Sequence, residues 1–230
     1  MNPSSTNFDS LLKDISHYKS YPAMLPFVGE NYILPNRPKL LLLGESFYFP
    51  EDSVTHHNPL PWYSGNQNSL TEEEVEYIHC RDLLECEWKS AGHKMYRELN
   101  SCLGELGLEF RDRAVSLVSY TNTFMRPARD SGGSFMHCCS QQDVETSLQT
   151  LTKTIQILKP DVVVFTSVYA WNVVGKTLAG RIDDVSMDFV SHPTDPFHWN
   201  VESYPNGRKK FISLLQDWSA NKKSNYEAAL

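Results

Sequence analysis

Lys39-Leu40-Leu41-Leu42-Leu43-Gly44 is the most telling run in the chain. Its leucines run on without polar alternation, which suits a strand buried on both faces of a parallel sheet. Glycine at the end permits a tight turn or the close approach of another group. Asp161-Val162-Val163-Val164-Phe165 is a second such run, dominated by branched residues that favour strands. Residues 114–120 and 185–191 supply two more strand candidates. Helical spacing fills the intervals. Met95, Leu99, Cys102, Leu103 and Leu106 recur on one face before Gly107, and Trp171, Val174 and Leu178 form a shorter stripe. Val144, Leu148, Leu151, Ile155 and Leu158 make the strongest amphipathic repeat, stopped by Pro160. Phe211, Leu214, Leu215 and Trp218 close the chain with a further helix, and residues 8–17 open it with a short one before an irregular lead-in. Strands alternating with helices predict a single α/β domain over residues 1–230. The expected architecture is a three-layer α/β/α sandwich around a central, mostly parallel four-stranded sheet.

Composition narrows the function. Lys and Arg total 21 against 28 Asp and Glu, a net charge of −7, which argues against a basic coat that binds polyanions indiscriminately. No run approaches the ~20 apolar residues that span a bilayer, and the N-terminus lacks the pattern of a secretory signal. Five cysteines form an odd, irregularly spaced set, so reduced thiols and a cytoplasmic location are expected. There is no phosphate loop, dinucleotide fingerprint or Gly-x-Ser-x-Gly elbow. His56-His57 and His137-Cys138-Cys139 lack the spaced second pair that a zinc site needs. Neither a metal nor a cofactor is expected. The acidity is local: residues 72–87 hold seven acidic side chains and one arginine, a net of −6. They lie in an insertion at about 50–90 that breaks the strand–helix rhythm, and Thr71-Glu72-Glu73-Glu74 has the form of a capping box. The segment reads as a solvated helix and loop, or as a lid or protein-partner face.

Sheets of this kind bind ligands beyond the carboxyl ends of their strands, and three polar clusters fall there. In Gly44-Glu45-Ser46-Phe47-Tyr48-Phe49-Pro50, Glu45 can serve as general base or acceptor; otherwise it is a solvent-facing turn residue. In the stretch from Tyr120 to Arg129, Asn122 offers the donor and acceptor that an amide-like or base edge requires, or it caps a turn. Arg126 and Arg129 can clamp a phosphate or carboxylate, or form surface ion pairs with Asp130. In Ser191-His192-Pro193-Thr194-Asp195-Pro196, two prolines stiffen the loop. A fixed His192 can donate to developing anionic charge, or be satisfied by backbone. His198, next to Trp199, reads as packing.

In this order and spacing the loops resemble the uracil-DNA glycosylase superfamily. Gly44-Glu45-Ser46-Phe47 takes the place of the loop that directs water, with a Gly-Glu opening similar to the thermophile-type branch. Thr121-Asn122 with Arg126-Pro127 resembles the family's Thr-Asn pair and Arg-Pro. Leu158-Lys159-Pro160-Asp161 with Val162–Phe165 matches the family's helix-to-strand passage. His192-Pro193-Thr194 resembles its His-Pro-Ser loop, whose histidine faces a uracil carbonyl. The resemblance covers roughly residues 39–218 outside the insertion. It implies a uracil-DNA glycosylase-like fold and His192, Glu45 and Ser46 as catalytic candidates. Gly44, Phe47, Tyr48, Asn122, Arg126, Arg129, Trp62 and Thr194 become substrate-binding candidates. An aromatic residue, one of Phe47, Tyr48, Trp62 or Trp88, would stack on the base. Ser46 stands where several branches carry Asp or Asn, and Phe47 where proline is expected. The cysteine pair of the iron–sulfur branch does not occur. Three readings stay open: a divergent DNA-repair hydrolase that removes a damaged or deaminated base from DNA; the same fold binding or hydrolysing a free nucleobase, nucleoside or nucleotide; and a non-catalytic protein whose segment 72–87 holds a partner. A charge of −7 sits poorly with DNA unless Arg126, Arg129 and Arg181 form a local patch.

Overall fold

The computed structural model describes residues 4–34, 39–105, 114–130, 132–200 and 206–216. Its sheet contains β1 (Phe27–Val28), β2 (Leu40–Gly44), β3 (Val118–Asn122), β4 (Val162–Phe165) and β5 (Ser186–Phe189), in the spatial order β1-β3-β2-β4-β5. β2 pairs in parallel with β3 and β4, and β4 pairs in parallel with β5. The expected leucine strand is the centre, and all its residues are buried. Among the described residues the sheet has five strands, not four. The added one, β1, runs antiparallel along β3 with Phe27 opposite Tyr120. It is two residues long, too short to show a period, and falls in the supposed irregular lead-in. The strand expected at 114–120 also moves. Residues Ala114–Leu117 form a 3-10 turn, and the strand runs on through polar residues to Asn122. Those polar groups tolerate burial where they are bonded: Ser119 Oγ donates to the Phe27 carbonyl at 2.7 Å.

Helices flank the sheet. The opening helix is two short ones, α1 (Asp9–Leu12) and α2 (Ser16–Ser20), separated by an extended Ile15 whose side chain is buried. The insertion contributes α3 (Pro59–Ser64), α4 (Glu72–Ile78) and α5 (Cys80–Glu85). Thr71 and Glu74 make the expected capping box on α4. Next come α6 (Lys94–Glu105) and α7 (Gln141–Leu158). α7 starts on a Ser140–Asp143 capping box and stops at a left-handed Lys159, just before Pro160. α8 (Val168–Ala170) passes through a π turn at Trp171–Gly175 into α9 (Lys176–Ala179). Residues 207–216 form α10. Leu106, Gly107 and Trp218, assigned to helix stripes from the sequence, lie outside the described residues. No described helix is long and apolar enough to cross a membrane.

The insertion is packed onto the body. Trp62, Ile78, Cys80 and Leu84 are buried in the common core, and Arg81 of α5 forks onto Asp9 at 2.6 and 3.0 Å. The topology then places the site. The chain leaves β2 to one side for β3 and returns across it to β4, so the order reverses at β2. Such a reversal opens a crevice beyond the carboxyl ends of the strands. Gly44 is paired with Asn122, Leu43 with Phe165, and Phe165 with Phe189. The residues that follow all four parallel strands therefore emerge at one edge.

Candidate functional site

A cavity of about 910 Å³ opens at that edge. Glu45, Ser46, Phe47 and Tyr48 after β2, Asn122 at the end of β3, and His192 and Thr194 after β5 all line it. Three loops distant in sequence thus share one chamber.

The floor is tight because β2 ends in glycine. A side chain on Gly44 would drive into Asn122 Oδ1 and the Tyr120 hydroxyl. Gly44 is a spacing residue, and it is not among those lining the cavity. Its carbonyl accepts from Thr123 N at 2.8 Å, the Glu45 carbonyl accepts from Phe124 N at 2.9 Å, and the Phe47 carbonyl accepts from Ala128 N at 2.8 Å. These bonds fix the Glu45 loop against the segment after β3.

Asn122 is 4% exposed, and its Oδ1 accepts the Tyr120 hydroxyl at 3.0 Å. Burial pushes that phenol well above its ordinary pKa, so it remains a donor. With Oδ1 so occupied, the amide nitrogen is left to face the cavity as a donor.

Glu45 is held by three donors. Oε1 accepts from Ser134 Oγ at 2.9 Å and from Phe135 N at 2.7 Å, while Oε2 accepts from Ser167 Oγ. A carboxylate has about four lone-pair sites, so a last acceptor position remains for a group in the cavity. Beside it the buried Ser46 hydroxyl has no hydrogen-bond partner among the described residues. Tyr48 is half-buried, and burial with the nearby Glu45 charge raises its phenol pKa.

His192 Nδ1 lies 2.8 Å from Thr194 Oγ1 and accepts from Thr194 N at 3.3 Å. A backbone N–H can only donate, so Nδ1 carries no proton and Nε2 does. Burial lowers the imidazole pKa, partly countered by Glu45 and Asp195. The result is a neutral ring with a fixed N–H donor.

Other assignments need correction. Arg126 and Arg129 form no fork. Arg126 lies fully inside the protein, where Nε and Nη2 grip Asp143 at 2.8 and 2.7 Å, and Nη1 and Nη2 reach the His56 and Cys138 carbonyls, each at 2.7 Å. Asp143 also accepts from Tyr63 and Ser140. Arg129 is exposed and does not line the cavity. Trp62 is a core residue, stacked on Tyr21 at 4.4 Å with Nε1 donating to the Met125 carbonyl at 2.9 Å. Trp88 sits outside the lining too, buried and stacked on Tyr96 with a left-handed backbone. Phe47 and Tyr48 are the aromatic candidates that remain at the cavity. His198 pairs with Asp195 at 2.8 Å and is exposed, so it is not a packing residue.

Several residues in the cavity wall or just behind it escape sequence reading. Tyr120 and Tyr96 look like core aromatics. Ser134 and Ser167 look like helix caps, and both are: each Oγ accepts from a helical N–H, of Met136 and Ala170 respectively. The hydroxyl proton that each sends to Glu45 leaves no mark in sequence. Glu76 and Tyr77 of α4 turn part of the acidic insertion into cavity wall, whereas Glu74 is buried on Ser53, Thr55 and Thr71. Among the described residues, no three His, Cys, Asp or Glu side chains are grouped to hold a metal ion. No protein-family model matches the chain, and no curated protein proves similar to it.

Proposed function

We propose that the protein takes a nucleobase into this cavity and hydrolyses its N-glycosidic bond, the base being carried by DNA. One observation carries the reading: the His192 imidazole, the Asn122 amide and the Glu45 carboxylate line the same chamber. The resemblance of their loops to the uracil-DNA glycosylase superfamily supports it. The Asn122 amide reads the base edge, and Phe47 or Tyr48 lies against the ring. Water held by Glu45 attacks the sugar carbon and gives its proton to Glu45, while the Ser46 hydroxyl is buried away from the cavity's water. The bond from that carbon to the base nitrogen breaks, and its electron pair leaves with the base. His192 Nε2–H donates to the carbonyl oxygen on which the charge collects, and the base then takes up a proton.

The test is incubation with single- and double-stranded DNA containing uracil, followed by alkali. Strand cleavage by the native protein that is lost in His192→Ala supports the proposal. Uncleaved DNA of both kinds overturns the DNA reading.

A second reading has a specific observation behind it. Among the described residues the lining carries the carboxylates of Glu45 and Glu76 against the single ammonium of Lys94, and Arg126 is spent on Asp143. Affinity for DNA draws heavily on cations that neutralise phosphates. These charges favour a free base or nucleoside, and such a molecule released on denaturing the purified protein selects that reading. A protein partner on segment 72–87 has less support, since Glu76 and Tyr77 face the cavity.

A further inference from the structure

The chamber exceeds what its base-reading residues need. Sites for drug-sized ligands span roughly 300–1,000 Å³, and this one, at about 910 Å³, lies near the top of that range. A lone pyrimidine ring would leave most of it to water. The surplus has a direction. From Asn122 the wall passes to the Tyr120 hydroxyl at 3.0 Å, to the Tyr96 ring edge-on to Tyr120 at 5.5 Å, and to the His93 ring 6.4 Å further. Lys94 and Ser90 beside His93, with Glu76 and Tyr77 of α4, line the same chamber. These residues belong to other elements than Ser134, Phe135 and Ser167, which tether Glu45.

Resting on the base-binding reading, we infer that this far end of the chamber takes a polar, uncharged substituent carried on the base ring. The preferred ligand is then an enlarged base rather than a bare pyrimidine. The lining chemistry selects that class. Glu76 and Lys94 have opposite charge, and neither has an ion-pair partner among the described residues. Both are exposed at the mouth of the chamber; a charged substituent would attract one and repel the other, whereas hydroxyl or amide groups can donate to Glu76 or accept from Lys94. Tyr77 and Ser90 add hydroxyls. Burial and the Arg97 charge hold the His93 pKa below its ordinary value, so that ring is neutral as well. α4 supplies Glu76 and Tyr77 from the acidic insertion, which gives that segment a role in ligand selection.

Calorimetric titration of the full chain tests this with three probes: 2′-deoxyuridine, the same nucleoside with a polyhydroxylated chain at C5, and the same nucleoside with an alkyl chain of equal length. The polyhydroxylated form should bind roughly tenfold more tightly than the bare nucleoside, the worth of one or two added hydrogen bonds. The double variant Glu76→Ala, Tyr77→Phe should bring that ratio back towards unity. Equal or weaker binding of the polyhydroxylated form overturns the inference and leaves base recognition standing. An equal gain from the alkyl chain overturns the polar assignment. Failure of all three to bind, together with intact uracil-containing DNA, overturns this inference and the base-binding reading with it.

Discussion

Thr194 directs both its backbone N–H, at 3.3 Å, and its hydroxyl, at 2.8 Å, onto the Nδ1 of His192. A threonine two residues along the chain thereby sets the tautomer of the imidazole that faces the cavity. Ring protonation would bring a second N–H against the Thr194 N–H, donor against donor. This opposes the charged form in the same sense as burial does.

The first prediction is kinetic. Under the proposed hydrolysis, His192→Ala should lower the rate by about 10²–10³, the usual worth of a donor aimed at developing negative charge. In the native protein the ring pKa lies below the ordinary histidine value. The neutral ring therefore persists at neutral pH, and under the proposed hydrolysis the rate should hold steady through the ordinary histidine range instead of changing there. A rate–pH profile, read beside the nitrogen resonances of His192, checks both. An Nδ1 signal typical of a protonated nitrogen at neutral pH would remove the tautomer argument.

Arg126 and Asp143 yield a prediction about stability. Both side chains are fully buried and bonded to each other twice. Removing one partner strands an uncompensated charge, so Arg126→Ala and Asp143→Ala should each cost about 3–5 kcal/mol of folding free energy. A phosphate clamp behaves differently: its loss weakens ligand binding and leaves unfolding almost unchanged. Denaturant unfolding of Arg126→Ala discriminates the two, and an unfolding midpoint equal to that of the native protein would restore the clamp.

That pair also shows what sequence can and cannot carry. Leu40–Gly44 announced a central strand because an unbroken apolar run is stable only when both faces are covered. The same logic gave β4 and α7 from Val162–Phe165 and from the stripe ending at Leu158. Arg126 follows a strand just as a ligand-binding arginine would, and only the fold brings Asp143 to it from α7. Trp62 is another such case, since nothing local says that Tyr21 lies flat against it. The Gly44, Asn122 and His192 loops were legible because strand ends in a parallel sheet share an edge. Ser134, Ser167 and Tyr120 were not, because their roles are hydrogen bonds between segments far apart in the chain.

His17 predicts a response to acid. Its ring is buried among Tyr21, Tyr63 and Tyr18 and lies 3.3 Å from Met24 Sδ, and burial lowers its pKa to about 3. The unfolded chain has an ordinary histidine there, near 6.5. Between the two values the unfolded state binds the extra proton, so folding stability should decline as pH drops from about 6.5 towards 3, by up to a few kcal/mol. Asp143, with its carboxyl pKa held down by Arg126 and Ser140 despite burial, adds to the loss below the ordinary carboxylate range. His17→Phe keeps a ring beside Tyr21 and does not titrate. Urea unfolding at about pH 7.5 and about pH 5 should show a smaller difference for the variant than for the native protein. Equal differences would mean that His17 is not a source of the acid sensitivity.

Glu45 is a tether in the structure and the base in the proposed hydrolysis, and a conservative change separates the two. Its carboxylate ties the loop after β2 to Ser134, to Phe135 N and to Ser167. Glu45→Ala leaves those groups without their partner and should cost about 1–3 kcal/mol. Glu45→Gln keeps the oxygen that Phe135 N–H needs, so it should fold with a loss of about 1 kcal/mol. Glutamine cannot take a proton from water. Under the proposed hydrolysis, Glu45→Gln should retain nucleoside affinity while its turnover falls by about 10²–10⁴. Affinity by calorimetry and rate by single-turnover cleavage of uracil-containing DNA give the two numbers on one variant. If affinity and turnover both survive, Glu45 is only a tether, and the water must be activated elsewhere in the chamber.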